Sequence, residues 1–151
     1  MRFRRLPLLL LLAFALACQT GGGTGETPGS ADRPPMEVRQ IGSLFFGSSY
    51  DTSVSLDFFI ENNGTVPMKV WRILVQDAGM VQYQIPITSR EFRRTIEPGK
   101  VERFTIVATA VTDVYRLSPN EPLLVRVTVD ADREGKRFRA LYLREPVFQG
   151  R

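Results

Sequence analysis

The sequence predicts an all-β protein, built as one antiparallel β-sandwich of about seven strands. Apolar and polar residues alternate in several stretches after residue 50, which is the pattern of strands that bury one face. Gly, Pro and Asn interrupt these stretches at intervals of roughly ten residues, as turns do between short strands. No stretch beyond residue 36 keeps a helical period over several turns. Together these observations indicate two packed antiparallel sheets.

A signal peptide is predicted for residues 1–17. Arg2, Arg4 and Arg5 precede an apolar run that covers residues 6–17. This run has 12 residues, whereas a membrane-spanning helix needs about 20. A basic start, a short apolar core and small residues before a cut site are the marks of a secretory signal. We therefore expect that the protein is exported and that this segment is removed.

Cys18 is the only cysteine of the chain and directly follows that segment. Residues 15–18, Ala-Leu-Ala-Cys, resemble the lipobox of bacterial lipoproteins. The resemblance implies cleavage before Cys18 and acylation of its thiol, and two or more acyl chains anchor a protein stably to a bilayer. Gln19, in place of Asp, implies sorting to the outer membrane, facing the periplasm. The alternative is ordinary cleavage after Ala-Leu-Ala, which would release a soluble protein with a free Cys18.

Two regions follow: residues 18–35 as the lipidated cysteine and a flexible tether, and residues 36–151 as the folded domain. The tether is rich in Gly, Thr and Pro and has no apolar pattern. The formal charge of the chain is +4, but without the three signal arginines 17 basic residues face 16 acidic ones. A nearly neutral mature chain without a basic run argues against a nucleic-acid partner.

The first half of the domain is predicted to contain four strands. Residues 44–46 give the first, and Phe59 is expected on the outer face of the second. The inward residues of that second strand are Val54, Leu56, Phe58 and Ile60. Residues 62–65, Asn-Asn-Gly-Thr, should supply the positive φ angles of a tight turn. The return strand covers residues 66–75, with Met68, Val70 and Arg72 on one side. Residues 77–79 turn again before a strand over residues 80–87.

The second half is predicted from the same alternation. Residues 97–100, Glu-Pro-Gly-Lys, form a turn before a strand with its apolar side chains at every second position. Pro122 opens the next strand, residues 132–136 form a hairpin, and residues 138–143 close the sheet. The inward residues of these strands are Phe104, Ile106, Ala108, Ala110, Leu123, Val125, Val127 and Val129.

Several of these features together carry a resemblance to a known family. They are residues 61–67 (Glu-Asn-Asn-Gly-Thr-Val-Pro), the strand with Val70, the turn at Gly79, residues 96–99 (Ile-Glu-Pro-Gly) and a last strand after Gly135. In this order they resemble the late-embryogenesis-abundant and water-stress (WHy) group of immunoglobulin-like sandwiches, over residues 44–147. The resemblance implies an immunoglobulin-like fold and a non-catalytic role in stress protection or binding. It carries over no site residues.

The sequence lacks the residues that most classes of catalytic site require. The chain has no histidine, which excludes Ser-His-Asp and Cys-His catalysis and the commonest metal ligand. Cys18 lies outside the predicted domain, so zinc-thiolate sites are excluded there. No glycine-rich loop has phosphate-binding spacing. We therefore predict no enzyme activity, no cofactor and no metal.

One pair of carboxylates is a candidate site. Asp130 and Asp132 should share a strand face, with Glu134 nearby, and paired carboxylates can bind Ca²⁺ or act as acid and base. The calcium-loop pattern is incomplete, however, and a solvated hairpin rim explains the same residues.

The densest basic segment is the candidate partner site, and it consists of Arg90, Phe92, Arg93 and Arg94. Arginine pairs bidentately with carboxylates and phosphates, and aromatic side chains anchor protein interfaces. The segment could therefore bind an acidic protein or an anionic lipid head group. The alternative is an edge strand that its charges protect from aggregation.

These patterns predict a membrane-anchored envelope lipoprotein whose sandwich is a non-catalytic protein-binding or structural module. Its partners would be the lipid bilayer, through acylated Cys18, and an envelope protein. The alternative is a small-ligand or sugar-binding lipoprotein of the periplasm, with a pocket lined by Trp71 and the tyrosines Tyr83, Tyr115 or Tyr142. Without such a pocket, Trp71 is expected in the core. Of the pairs at residues 45–46 and 58–59, at most one phenylalanine each should face inward.

Overall fold

The computed structural model describes residues 33–42, 50–79, 83–112 and 123–149, and in this part of the chain all regular structure is β. No helix that could cross a membrane occurs among these residues. The strands in chain order are β1 (Met36–Ile41), β2 (Asp51–Glu61), β3 (Met68–Asp77), β4 (Tyr83–Gln84), β5 (Thr88–Ile96), β6 (Val101–Thr112), β7 (Val125–Arg133), β8 (Lys136–Arg144) and β9 (Val147–Gln149).

The strands form two sheets. One has five strands in the order β4-β6-β2-β1-β9, and the other has four in the order β5-β3-β7-β8. All neighbours are antiparallel except β1 and β9, which run parallel. With β2 between β1 and β6, and β3 between β5 and β7, this is the strand arrangement of an immunoglobulin-like sandwich. The predicted all-β fold is confirmed, with nine strands in the described residues instead of about seven.

The predicted alternation places the core between the sheets. The inward residues of β2, Val54, Leu56, Phe58 and Ile60, are at most 2% exposed. The predicted inward residues of β6 and β7 are buried as well. Burying each side chain of the size of Val, Leu, Ile or Phe stabilises the fold by roughly 1.5–3 kcal/mol.

The outer face of the five-stranded sheet is partly covered by its own charged side chains. Phe59 lies there, as predicted, with the Arg39 guanidinium 4.3 Å from its ring centroid. Asp57, on the same face, is buried. The Thr105 hydroxyl donates to Asp57 Oδ1 at 2.6 Å, and Arg103 Nη2 lies 2.8 Å from Oδ2. A buried carboxylate is tolerated here because it has these two partners.

The turn after β2 differs from the prediction. Asn62, Asn63 and Gly64 do not have positive φ angles. Instead, the buried Asn62 side chain donates from Nδ2 to the carbonyls of Val66 (2.7 Å) and Ile96 (2.9 Å). Its Oδ1 accepts from the Gly64 N–H at 3.1 Å. The side chain, and not a left-handed backbone, shapes the turn.

Structure also begins earlier than predicted. β1 was not expected, and the strand predicted at residues 44–46 lies outside the described residues. The last three residues of the predicted tether pack on the domain: Tyr142 Oη donates to the Pro34 carbonyl at 2.6 Å, and the Glu61 N–H donates to the Pro35 carbonyl at 3.0 Å. The Arg33 guanidinium lies 4.3 Å from the Tyr142 ring centroid.

Candidate functional site

The predicted partner segment lies in β5, at one edge of the four-stranded sheet. β5 is therefore an edge strand, as the alternative interpretation predicted. On the same side of the sandwich, β6 of the other sheet lies next to β5. It pairs with the short β4 only at Val111 and Thr112. The earlier part of β6 has no strand partner on that side among the described residues.

Two arginines of β5 contact that part of β6. Arg90 Nη1 donates to the Thr105 carbonyl at 3.0 Å, and Arg94 Nη1 donates to the Arg103 carbonyl at 3.1 Å. Arg94 also forms an ion pair with Glu102. These guanidinium groups supply donors to backbone carbonyls that no neighbouring strand reaches.

Phe92 lies between these two arginines and faces the core. Its ring meets that of Phe104 edge to face, with centroids 4.9 Å apart. Three of the four predicted residues, Arg90, Phe92 and Arg94, thus close the side of the sandwich. Arg93 turns to the outer face, where it pairs with Glu91 at 2.8 Å.

A β-bulge in β3 changes which side chains reach that outer face. Val70 pairs with Ala131, but Arg72 pairs with Asp130, so β3 contains one extra residue, Trp71, against β7. Trp71 and Arg72 both point outward, while Val70 and Ile73 stay buried. The prediction that Arg72 shares the side of Val70 is therefore wrong, because the bulge shifts the alternation by one residue.

Strand β5 is irregular at the same place. Val70 pairs with Arg94 but Arg72 pairs with Glu91, so β5 also contains an extra residue there. Arg93 takes a left-handed conformation with φ of 53°. Bulges of this kind re-aim side chains, and here Arg93 comes to lie beside Trp71.

The result is a groove of about 640 Å³ on the outer face of the four-stranded sheet. Its side chains come from all four strands of that sheet. We call it the Trp71 groove, and it is lined by Trp71, Arg72, Glu91, Arg93, Asp130, Arg137 and Arg139.

Asp130 lies at its centre and holds two arginines. Arg72 donates to Oδ2 from Nη2 at 2.6 Å and from Nε at 3.0 Å. Arg139 donates from Nε to Oδ1 at 2.7 Å. Burial alone would raise the pKa of Asp130, but the hydrogen bonds from Arg139 and Arg72 outweigh it and hold the pKa below its ordinary value. The same bond raises the pKa of Arg139.

Trp71 lies outside the core, contrary to the prediction. Its Nε1 donates to Asp132 Oδ2 at 2.5 Å. Lys69 Nζ lies 3.9 Å from the ring centroid, and the Arg137 guanidinium lies 5.2 Å from it. Both distances are within cation–π range. The ring is thus held in place by charged groups on β3, β7 and β8.

The predicted pocket of Trp71 and tyrosines does not form in the described residues. Tyr83 and Tyr142 are both buried in the core. Tyr83 Oη accepts from the Leu124 N–H at 2.9 Å. Burial, as the largest cause, raises the pKa of Tyr142 to about 12. Tyr115 lies outside the described residues.

The carboxylate pair has structural partners. Asp130 and Asp132 do share a strand face, but arginines occupy the first and the Trp71 N–H the second. Glu134 sits in the β7–β8 turn with φ of 52°. Among the described residues, no three acidic side chains come together as a metal site would need. Cys18 lies outside the residues that the structure describes.

Comparison with known proteins assigns no family. No family model matches the chain, and no curated protein matches it. Among solved structures, the structural-genomics target SoR45 is 14% identical, with a TM-score of 0.48 over 76% of this chain and 85% of that one. A protein from Archaeoglobus fulgidus is 11% identical, with a TM-score of 0.44 over 74% of this chain and 91% of that one. A candidate ApaA protein from Bordetella pertussis is 15% identical, with a TM-score of 0.44 over 76% and 95%. The WHy resemblance stays a prediction.

Sequence reasoning missed the residues that build the groove with Trp71. Arg72 was predicted only on the side of Val70, and Arg137 and Arg139 were not predicted as site residues. The sequence of β3 gives no clear signal, because Trp71 and Leu74 are apolar as well as the buried Met68, Val70, Ile73 and Val75. Only the structure shows that the spacing of the buried residues changes from two to three between Val70 and Ile73. A spacing of three between buried residues inside a strand marks a bulge, whose two intervening residues share the outer face.

Proposed function

We propose that this protein is an exported, lipid-anchored protein of the cell envelope whose sandwich is a non-catalytic protein-binding module. The anchor rests on the sequence of residues 1–18. The binding face is the outer face of the four-stranded sheet, centred on the Trp71 groove. The observation that supports this most is the bulge, which places Trp71 and Arg72 side by side on an outer face. Tryptophan and arginine are the residues most enriched among those that dominate binding energy in protein interfaces.

The chemistry of the groove favours binding over catalysis. Asp130 is held ionised by two arginines, so it is a poor general acid. Asp132 accepts the Trp71 N–H, so its carboxylate is occupied as well. Arginines, by contrast, have donors to spare, because each guanidinium carries five N–H groups. A partner's carboxylates or backbone carbonyls can accept them.

The small-ligand alternative has less support. It requires Trp71 to join tyrosines around a pocket, but Tyr83 and Tyr142 lie on the opposite, inner side of the sheets. Lys69 and Arg137 also lie within cation–π distance of the Trp71 ring, which a sugar would need as a stacking surface.

Site-specific photo-crosslinking in the native host tests the proposal. A crosslinking residue is placed at Arg93 or Arg137 in the groove, and at the exposed Thr109 on the other sheet as the matched control. We expect one discrete protein adduct from the two groove positions and none from Thr109. Equal adducts from both faces, or none from the groove, would refute the binding face.

The anchor has a separate test. Cys18→Ser should move the protein from the membrane fraction to the soluble fraction, because the serine hydroxyl does not accept the diacylglycerol that the lipobox resemblance implies. Membrane retention of this variant equal to that of the wild type would contradict the anchor, whatever the crosslinking shows.

A further inference from the structure

Strand β8 forms an edge of the four-stranded sheet and pairs only with β7 among the described residues. The β7–β8 turn has Glu134 and Gly135 at φ 52° and 77° between the paired residues Arg133 and Lys136. In a two-residue hairpin of this kind the closing pair exchanges both hydrogen bonds, and every second pair after it does the same. The residues between them turn their N–H and C=O groups away from β7. These residues are Arg137, Arg139, Leu141 and Leu143.

The other edges of the sandwich are protected. β5 is interrupted by the bulge at Arg93, the carbonyls of Arg103 and Thr105 on β6 accept arginine side chains, and β9 has only three residues. β8, in contrast, keeps regular register with β7 over nine residues without a proline. Among the four residues whose N–H and C=O groups point away from β7, the Leu143 carbonyl accepts a hydrogen bond from Arg144 Nη1 at 3.0 Å. A long, regular edge is a template for another strand.

The side chains of β8 indicate which strand could add to it. On its outer face Arg137 and Arg139 come first, and Leu141 and Leu143 follow, 57% and 53% exposed. The strand has four basic residues, Lys136, Arg137, Arg139 and Arg144, and no acidic one. Pairing with a second copy of β8 would place cations opposite cations at its ends, which is destabilising. Arg139 already forms an ion pair with Asp130, which lies directly opposite it on β7.

We propose that β8 accepts an extended segment of the partner protein as a fifth strand of this sheet. The segment carries acidic residues beside Arg137 and Arg139 and apolar residues beside Leu141 and Leu143. Main-chain hydrogen bonds supply affinity in this mode of recognition, and alternate side chains supply specificity. The inference rests on the proposed function and names the class of partner: an extended polypeptide with an acidic half and an apolar half. Because Arg137 and Arg139 also line the Trp71 groove, the added strand would border it.

The test fuses a probe strand to the full-length protein behind Arg151 through a flexible Gly-Ser linker. In the probe, every second residue is threonine, and the positions between are two valines and two glutamates. Two versions are made, one with the valines first and one with the glutamates first, so that both a parallel and an antiparallel probe strand are tested. Tethering gives an effective concentration on the order of millimolar. Hydrogen exchange is then measured at single amides. We expect the amides of Arg137, Arg139, Leu141 and Leu143 to exchange at least about tenfold more slowly with one version. Phe138, Ala140 and Tyr142, already bonded to β7, should not change.

Paired variants separate backbone pairing from side-chain contact. Leu141→Pro removes an outward N–H at an edge position where proline is tolerated, and Leu141→Ala removes the same side chain but keeps the N–H. Protection should be lost in the proline variant and largely kept in the alanine variant, with matching unfolding curves as the folding control. A probe with lysine in place of glutamate should give no protection. Absence of protection with both fusions, or equal loss in both variants, would overturn the strand mode.

The result is independent of the crosslinking test. Adducts at Arg93 or Arg137 without strand protection would leave the binding face intact and remove the strand mode. Protection without any adduct in cells would leave the strand mode intact and remove the proposed binding face, because β8 would then accept a strand although no envelope protein binds there.

Discussion

Replacing Phe92 with alanine should destabilise the domain by about 2–4 kcal/mol. Removing a fully buried phenylalanine side chain costs about 3–5 kcal/mol, and Phe92 is half-buried at the side of the core. Roughly half of that cost therefore applies. Its edge-to-face contact with Phe104 adds about 0.5–1.5 kcal/mol, since the ring centroids are 4.9 Å apart.

The assay is urea unfolding at equilibrium, with Arg93→Ala as the matched control one residue away. Arg93 is exposed and pairs only with the exposed Glu91 in the described contacts, so its loss should cost no more than about 0.5 kcal/mol. Arg90→Ala and Arg94→Ala each remove a bond to a β6 carbonyl and should fall between, at about 0.5–1.5 kcal/mol. A Phe92→Ala midpoint equal to the wild type, or an Arg93→Ala loss as large as that of Phe92→Ala, would refute the assignment of this segment to closing the sandwich.

Two further predictions concern pH. Because the pKa of folded Asp130 is lowered, its stabilisation is present above the ordinary carboxyl pKa of about 4 and lost as pH falls through the folded value. Asp130→Asn should cost about 1–3 kcal/mol at neutral pH and flatten the acid limb of the urea midpoints. Asp132→Asn keeps an acceptor for Trp71 and should cost less at neutral pH. An acid limb of Asp130→Asn identical to that of the wild type would contradict this. Burial raises the pKa of Tyr142 to about 12, so stability should fall as pH rises from about 10 toward that value. Tyr142→Phe should remove this alkaline loss, measured by thermal unfolding, and persistence of the loss in the variant would assign it to another group.

Most of the core could be predicted because its signal is local. In β2, β6 and β7 the buried inward residues are apolar except Thr112, and most of the residues between them are polar. A period of two therefore identifies the inward face without knowledge of the partner strands. β1 has the same period, but its third inward residue is Gln40, which is buried and donates from Nε2 to the Gly42 carbonyl. Because Gln40 is polar, the alternation of apolar and polar residues in β1 is too short to predict a strand there. β9 is exposed throughout and is held by backbone pairing with β1, which leaves no mark in the side chains.

The site depended on information that a local pattern does not contain. The targets of Arg90 and Arg94 are backbone carbonyls of β6, and every residue carries a carbonyl. That Arg139 meets Asp130 follows from the register of β7 and β8, which the short turn at Glu134 fixes. The position of Glu91 and Arg93 beside Trp71 follows from two bulges at the same point of the sheet. Neither bulge has a clear sequence signal: in β3 the apolar Trp71 and Leu74 obscure the spacing of the buried residues, and the apolar residues of β5 are too few to show a period.

The bulge at Trp71 also separates what the core of this sheet requires from what its outer surface carries. If Trp71 were deleted, Val70, Arg72 and Ile73 would follow one another as inward, outward and inward residues, and β3 would pair with β7 without interruption. The buried residues of the strand, from Met68 to Val75, would all keep their faces. The pairing of β3 with β7 and the buried face of β3 therefore do not depend on this residue, although its loss would leave β5 with two extra residues in place of one. The Trp71 side chain thus belongs to the outer surface and to the junction of β3 with β5, and not to the packing between the sheets.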